Sequence, residues 1–329
     1  MKTSTMRIMI PLVVLIVSGA QLIGEASAAE RGRPFRIGAF TESWGPTPGI
    51  VGLREGLLAL GYHEHEQFDI GVRFTQGDIT ALPAAARQLV QYGVDLLFAS
   101  GDASAKAAQR ATTQLPIVFT GLSDPVELGL VASFARPGGN ITGVAELRRA
   151  LNPKRLELLH QLIPGLKQVF FLYDANDVFS KAAAGIYRHV ARQLDIVLVE
   201  KPVHTEAEAR TVMAEIRTGD VQGIMQPLTL SLNIPGLLLE VTTQRGIPTM
   251  FDSEFYVESG GLASYGPDFY ESGRQAARLV DKILRGEAPA DIPVEVNNGI
   301  KFVINLKTAK TLGLTIPPEM LYQANRLIR

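Results

Sequence analysis

Short β-branched and aromatic runs alternate with amphipathic helical stretches along most of this chain, and this alternation constrains its fold more than any other feature. In the first half the predicted strands are 36–40, 68–74, 94–99 and 117–119, and the helices between them are 49–60, 82–90 and 104–111. A strand–helix–strand series of this kind forms a parallel sheet with right-handed crossovers. The first half is therefore predicted to be a doubly wound α/β lobe.

The rhythm breaks at the Pro/Gly-rich run 136–140 and then starts again. The second series has helices at 153–162, 179–194, 206–216 and 234–244, and strands at 169–173, 196–199, 223–225 and 248–251. A Gly-rich passage at 259–268 reads either as a hinge or as an ordinary loop. It is followed by a helix at 270–284, strands at 292–296 and 301–306, and a final helical segment. Two similar open sheets are predicted to face each other.

Composition limits the function classes. The 329 residues are long enough for two bodies that each bury a core. Thirty-two basic and 33 acidic side chains give a net charge of -1, so the chain lacks the basic footprint of a nucleic-acid binder. The absence of cysteine excludes disulfide frameworks, thiolate metal sites and cysteine nucleophiles.

The first 28 residues have the pattern of a secretory signal peptide. Lys2 and Arg7 precede the apolar run 8–23, and Ala26 to Ala28 supplies small residues for cleavage. The alternative is an uncleaved membrane anchor, although the apolar run is shorter than the ~20 residues that cross a bilayer. We expect export to the periplasm, cleavage and no stable membrane insertion. Without a cysteine after the cut, the product is not a lipoprotein.

Candidate binding residues follow from a rule of open α/β sheets, in which ligands bind beyond the carboxyl ends of the strands. The first-half candidates are Thr41, Glu42, Ser43, Trp44, Ser100, Gly101, Asp102, Ala103, Ser104, Thr120, Gly121 and Asp124. The second-half candidates are Asp174, Asn176, Gln226, Asp252 and Glu254. Hydroxyls and amides at helix starts suit an anionic group, but the same residues also serve as plain helix caps.

The negative charge of these loops favours a ligand with an amine. They carry six carboxylates and neither Lys nor Arg: Glu42, Asp102, Asp124, Asp174, Asp252 and Glu254. Such a rim attracts a cation, unless the side chains are simply solvated. Trp44, the one tryptophan, offers a face for stacking on an aromatic ring or a cation, or packs against its own lobe.

Catalytic and metal-binding patterns are scarce. The sequence contains no G-x-S-x-G, G-x-x-x-x-G-K or strand-linked G-x-G-x-x-G motif. His63, Glu64 and His65 form the one histidine cluster, which lacks a third ligand and follows a predicted turn, so a charged surface turn is favoured over a metal site. We expect no enzyme activity, no cofactor and no metal.

Six ordered blocks carry a family resemblance: 115–119, 124–131, 135–143, 260–268, 280–286 and 302–314. With them the chain resembles the substrate-binding component of ABC transport systems, in a largely uncharacterised family that includes tryptophan- and tyrosine-type binding proteins. The similarity spans essentially the whole chain after the leader. It implies a type I periplasmic-binding fold, with two Rossmann-like lobes and a small molecule trapped between them for an ABC permease and its ATPase.

The resemblance also implies three crossings between the lobes, near Gly143, near Tyr265 and beyond Pro293. Lobe 1 is then 34–143 plus about 265–293, lobe 2 is 144–264 plus about 294–329, and Tyr265 joins the candidate ligand residues. A monomer is expected. Where members often carry Gly-Thr-Pro or Gly-Thr-Ser, this chain has Gly101 followed by Asp102, a carboxylate that would repel a ligand carboxylate.

Two other functions remain open on sequence alone. A periplasmic sensor for a receptor kinase would use the same fold with a different output. A hydrolase or isomerase would use paired carboxylates across the cleft.

Overall fold

The computed structural model describes residues 32–43, 45, 47–146, 148–217, 219–227, 232 and 234–329. The predicted signal peptide and Trp44 lie outside these residues. Within the described part of the chain, two β-sheets of six and seven strands form the centres of two lobes. The prediction of two α/β lobes with parallel sheets is confirmed.

Lobe 1 begins with a regular alternation of strands and helices. In chain order these are β1 (Phe35–Thr41), α1 (Pro48–Ala59), β2 (Phe68–Phe74), α2 (Leu82–Gln91), β3 (Leu96–Ser100), α3 (Asp102–Ala111), β4 (Ile117–Leu122) and β5 (Ile141–Glu146). A late strand, β11 (Glu295–Asn297), joins this sheet, whose order is β11-β5-β4-β3-β1-β2 with every pair parallel.

Lobe 2 repeats the pattern and adds the end of the chain. Its first elements are α4 (Asn152–Leu162), β6 (Gln168–Asp174), α5 (Val178–Gln193), β7 (Val197–Val203), α6 (Glu206–Glu215), β8 (Gly223–Met225), α7 (Ile234–Arg245), β9 (Thr249–Phe251), α8 (Glu254–Glu258) and β10 (Ala263–Pro267). After α9 (Phe269–Leu284) come β12 (Ile300–Asn305), α10 (Leu306–Thr311), α11 (Pro318–Gln323) and β13 (Arg326–Ile328). The sheet order is β13-β12-β10-β9-β8-β6-β7, with β12 antiparallel to β10.

Helix α9 packs on lobe 1 although it directly follows β10 of lobe 2. It lies against α1, and the two backbones approach so closely that a Cβ on Gly52 would lie 2.0 Å from the Tyr270 carbonyl oxygen. A Cβ on Gly273 would lie 2.0 Å from the carbonyl oxygen of Gly49. The glycines at this contact therefore fix which lobe receives α9.

The crossings between the lobes lie slightly later than predicted. The first follows β5 at Glu146 instead of Gly143, and the second follows β10 at Pro267, because Tyr265 pairs with Phe302 inside the lobe 2 sheet. The third lies between Asn297, which pairs with Glu146 in lobe 1, and Ile300. These contacts move residues 295–297 from the predicted lobe 2 to lobe 1.

Sequence patterning missed three strands. Strand β5 contains Gly143, whose Cβ would lie 2.3 Å from the Phe119 carbonyl oxygen, and β10 contains Gly266 and Pro267. Glycine and proline weaken the sequence signal of a strand, while tertiary contacts here require them. The predicted final helical segment is present as α10 and α11, and the chain then ends in β13, the third missed strand.

Candidate functional site

The lobe 1 wall of the cleft is built where β1, β3 and β4 end. Glu42 follows β1 and is 9% exposed, and the fully buried hydroxyl of Ser104 donates a hydrogen bond to its Oε2 at 3.1 Å. Gly101 has φ +99°, and a Cβ there would lie 3.0 Å from Glu42 Oε1. Its amide donates to the Thr120 carbonyl at 2.9 Å, so the loop closes tightly on the carboxylate.

Burial dominates the electrostatics of Glu42. It raises the pKa of the carboxyl, its own backbone amide and Ser104 oppose the rise, and the neighbouring Asp102 adds to it. Two buried carboxyl groups thus lie within electrostatic reach of each other. Each is ready to be stabilised by an incoming positive charge.

Asp102 begins helix α3 and presents an unsatisfied oxygen. Its Oδ1 is buried and has no hydrogen-bond partner among the described residues, and the same holds for Ser100 Oγ. Burial raises the pKa of Asp102, whereas Arg148, Lys106 and Arg149 lower it. Buried polar atoms in proteins are nearly always paired, so these two atoms stand out from the rest of the wall.

Arg148 joins the two lobes across the cleft. It follows β5, and its Nη1 donates to the Gly121 carbonyl of lobe 1 at 3.4 Å while its Nη2 donates to Asp252 Oδ2 of lobe 2 at 2.6 Å. Burial would lower the pKa of this guanidinium, but the carboxylates of Asp252, Glu146 and Asp102 raise it above its ordinary value. The guanidinium is therefore charged and neutralises part of an acidic cleft.

Glu146 lies behind Arg148 at the first crossing between the lobes. It is 1% exposed, accepts a hydrogen bond on Oε1 from Ser272 Oγ at 2.7 Å, and keeps a buried Oε2 for which the described residues offer no partner. Burial raises its pKa to about 7, against the opposing effects of Arg148 and Ser272. This carboxyl titrates near neutral pH.

Asn297 extends the Glu146 contact to the other two crossings. Its amide Nδ2 donates to Ser272 Oγ and to the Asp268 carbonyl, both at 2.8 Å. Glu146 ends β5, Asp268 follows β10 and Asn297 ends β11. One buried hydrogen-bond network thus connects all three segments that must bend when the lobes move.

The lobe 2 wall is formed by the ends of β8 and β9. Gln226 is fully buried, and its Oε1 accepts the Asp252 backbone amide at 2.9 Å. Its Nε2 lacks a partner within the described part of the chain. Tyr256 in α8 stacks on Phe251 with ring centroids 5.0 Å apart. Burial raises the Tyr256 pKa, and Asp252 and then Glu42 raise it further, so its hydroxyl stays protonated.

Several predicted residues instead stabilise their own turns. Asp174 Oδ1 accepts the Asn176 amide at 2.8 Å, and Asn176 Nδ2 donates to the His204 carbonyl at 3.1 Å. Ser43 Oγ donates to the Gly45 carbonyl at 2.6 Å, and its amide donates to Thr41 Oγ1 at 3.4 Å. These contacts fit the alternative stated above, in which such residues cap their own turns and helices.

Asp124 also caps a turn. Its Oδ1 accepts the amides of Val126 at 3.0 Å and Glu127 at 2.9 Å, and its Oδ2 lies 3.8 Å from Arg149 Nη2. Both oxygens are engaged by the chain itself. The carboxylate is thus not directed at the cleft in the way Asp102 is.

Two predicted residues lie on the β12 side of lobe 2. Glu254 forms ion pairs with Lys301 and Arg326, each at 3.2 Å. The Tyr265 ring packs edge-on against Phe302 with centroids 6.2 Å apart, and its carbonyl accepts Arg155 Nε at 2.8 Å. Both side chains are occupied within lobe 2.

The small predicted residues shape the wall. Thr41, Thr120 and Gly121 are buried, and Ala103 is half-buried. Sequence reasoning missed Glu146, Arg148 and Tyr256. The first two depend on β5 and the third on α8, neither of which the hydrophobic pattern predicted. If β5 had been predicted, the rule that ligands bind beyond strand ends would have selected Glu146 and Arg148.

The histidine-containing turn makes pairwise polar contacts with neighbouring side chains. His65 Nδ1 lies 2.8 Å from Asp69 Oδ1, and Glu64 accepts Arg54 Nε at 3.0 Å. In that part of the chain, three His, Asp or Glu side chains nowhere converge as a metal ion would require. None of its helices has both the length and the apolar character to cross a bilayer.

Two α/β lobes, joined by three crossings and facing each other with their strand ends, define a bilobal solute-binding protein of the type I periplasmic-binding fold. Residues 43–328 match the family model described as ABC transporter substrate binding protein. The chain belongs to this family. A curated relative, the tyrosine-binding protein of Clostridioides difficile strain R20291, is 30% identical over 264 residues, which are 80% of this chain and 76% of the relative.

Solved structures of substrate-binding proteins are also similar to this chain. An ABC domain from Streptococcus pneumoniae in complex with L-Trp is 28% identical, with a TM-score of 0.77 over 90% of this chain and 100% of that one. The ligand-free, open form of a substrate-binding protein with adhesive properties from Clostridium difficile is 26% identical, with a TM-score of 0.61 over 89% of this chain and 99% of that one. Of these two structures, the L-Trp complex has the higher TM-score with this chain.

Proposed function

We propose that this chain is the periplasmic solute-binding component of an ABC importer. It traps a small amine-bearing molecule, of which amino acids are one class, between its lobes and delivers it to a permease and its ATPase. It acts as a monomer and leaves the ligand chemically unchanged. The amine enters the proposal because the cleft is acidic, and the amino acids enter it because relatives are a tyrosine-binding protein and an L-Trp complex.

The observation that carries the proposal is the bridge made by Arg148. One guanidinium contacts Gly121 of lobe 1 and Asp252 of lobe 2, beside buried polar atoms in each wall that have no partner in the described chain. Closure driven by a ligand requires contacts that exist in the closed form alone, since a ligand held equally well by both forms shifts nothing. The unpaired atoms of Asp102 and Gln226, on opposite walls, supply such contacts.

Co-purification tests the proposal directly. The protein is purified without denaturation, and mass spectrometry of the released small molecules is followed by a thermal-shift screen of amino acids, amines and small aromatic acids. We expect an unmodified small molecule in a 1:1 ratio, a raised unfolding temperature on its addition, and a smaller radius of gyration by X-ray scattering.

An unchanged unfolding temperature with every compound, or turnover of any compound, would overturn the proposal. Asp195→Asn serves as the matched control variant. This carboxylate is exposed, pairs with Lys167 and lies outside the cleft, so its removal should leave ligand binding unaltered.

A further inference from the structure

The cleft carries an imbalance of charge. Four carboxyl groups, those of Glu42, Asp102, Glu146 and Asp252, are within electrostatic reach of Arg148 or of one another. Arg148 contacts both lobes, and its Nη2 is bonded to Asp252 at 2.6 Å. With all groups ionised, this set has an excess of negative charge.

The other nearby cations are engaged or turned away. Arg149 pairs with Glu127 and lies over the Phe179 ring at 4.9 Å. Lys106 is exposed one turn after Asp102 on α3. Arg155 is fully buried; its Nε and Nη1 donate to the Tyr265 carbonyl and to Asn152 Oδ1 at 2.8 and 3.1 Å, and its Nη2 has no partner among the described residues. A ligand carboxylate would enter a site dominated by like charge.

A second observation concerns buried polar atoms without a partner, one of which, in Gln226, lies outside the acidic cluster. Gln226, fully buried in the opposite wall, holds the Asp252 amide with its Oε1 and keeps a buried Nε2 that finds no partner in the described chain. Glu146 is 1% exposed and has a buried, unpaired Oε2. The carboxyl oxygen needs a donor, whereas Gln226 Nε2 is itself a donor and needs an uncharged acceptor on the ligand, such as a hydroxyl.

We infer that this ligand is a net cation whose ammonium group lies between Glu42 and Asp102, and that a carboxylate on the ligand weakens binding. The inference rests on the proposed function and narrows its substrate class to amines without a carboxylate. An ammonium offers three donors, which suit the Asp102 oxygen and the weakly bonded Glu42 carboxylate. It also relieves the repulsion between two buried carboxylates, which burial otherwise drives towards protonation.

A charge series tests the inference. Isothermal titration compares tyramine, L-tyrosine and 3-(4-hydroxyphenyl)propionate, and then tryptamine, L-tryptophan and 3-indolepropionate. These probes keep the ring and change only the charged groups. We expect the amine of at least one series to bind about tenfold or more tightly than its amino acid, and both carboxylic acids not to bind. An amino acid that binds as tightly as its amine overturns the inference while leaving the proposed function intact.

A broader thermal-shift screen covers the case in which neither aromatic series binds. Aliphatic amines as the sole hits support the inference, whereas neutral or anionic hits overturn it. An absence of any hit contradicts the proposed function itself. The failures of the two proposals are therefore distinguishable.

Neutral variants localise the ammonium. Asp102→Asn and Glu42→Gln should each weaken binding of the amine about tenfold or more and narrow its advantage over the amino acid. Asp195→Asn should change neither the affinity for the amine nor its advantage over the amino acid. Equal losses for amine and amino acid in both variants would overturn the placement of the ammonium.

Wild-type pH dependence provides a test that needs no variant. Glu42 is faced by Ser104, Asp102, Arg148 and Tyr256, and Asp102 by Arg148, Lys106, Asp177 and Arg149. Burial raises the pKa of both carboxyls, so amine affinity should fall as the pH is lowered from about 8 to about 5. An affinity that stays constant or rises over this range contradicts the inference.

Discussion

The two walls of the cleft use the same kinds of residue in opposite ways. In lobe 1, Asp102 keeps a buried oxygen unpaired within the described chain, and Glu42 accepts a side-chain hydrogen bond from Ser104. In lobe 2, Asp174 holds the amide of its own turn, and Glu254 is bound by two cations. A strand-end carboxylate is available to a ligand only where neither the local turn nor a neighbouring cation uses it.

The comparison also separates rigid from adjustable parts. Lobe 2 positions Asp252 through the side chain of Gln226, and Gly266 leaves no room for a Cβ, which would lie 1.8 Å from the Asp252 carbonyl oxygen. Lobe 1 instead presents groups whose charge depends on burial. Under the inference above, its carboxyls respond to the charge of the ligand.

The largest effect is expected where the two walls meet. Arg148→Met leaves the buried Asp252 without its cation, and we expect the free energy of unfolding to fall by about 3–5 kcal/mol. Urea denaturation at neutral pH measures it. Adding Asp252→Asn to this variant should recover more than half of the loss, because the stranded charge is removed. A fall below about 1 kcal/mol in the single variant would show that the bridge does not couple the walls.

A smaller effect concerns the pH dependence of stability. The pKa of Glu146 is about 7 in the folded chain against an ordinary value of 4.5, so its contribution to stability is complete below about pH 4.5 and is lost as the pH rises through 7. Glu146→Gln stays neutral. From about pH 4.5 to 8 its free energy of unfolding should decline less than that of the wild type, by on the order of 3 kcal/mol.

Urea denaturation of the wild type and of Glu146→Gln from about pH 4.5 to 8 measures how the free energy of unfolding changes with pH. Asp195→Asn is the control, since hydrogen bonding to Lys167 holds the pKa of Asp195 below its ordinary value and hence below the window. Parallel curves for Glu146→Gln and the wild type would mean that Glu146 is ionised throughout and that the network at the crossings does not respond to pH.

The smallest effect belongs to the lobe 2 turn. Asp174→Ala removes the acceptor of the Asn176 amide, and we expect a loss of about 1 kcal/mol in the free energy of unfolding with ligand affinity unchanged. Titration of the purified variant with the identified ligand checks the second point. A loss of affinity as large as that of Asp102→Asn would remove the distinction between the walls.

Much of the architecture was predictable because local patterning carries it. The predicted strand 68–74 and strand 223–225 match β2 and β8, and the helix predicted at 82–90 differs from α2 by one residue. Of the candidate site, Glu42, Ser100, Asp102, Gln226 and Asp252 line the walls. Four other candidates are also polar and also follow strands, but they make local contacts: Asp124, Asp174, Asn176 and Glu254. Residue type alone does not distinguish them from the residues of the walls.

The sequence by itself determined the two α/β lobes and the acidic character of the loops that follow their strands. Periodicity and residue type are local properties, and they persist wherever the segment lies. Only the tertiary structure decided which carboxylates remain unpaired, and that Arg148 and Glu146 belong to the cleft. Those outcomes depend on pairs 104 and 126 residues apart, Arg148 with Asp252 and Glu146 with Ser272, which come together only when the lobes and their crossings are assembled.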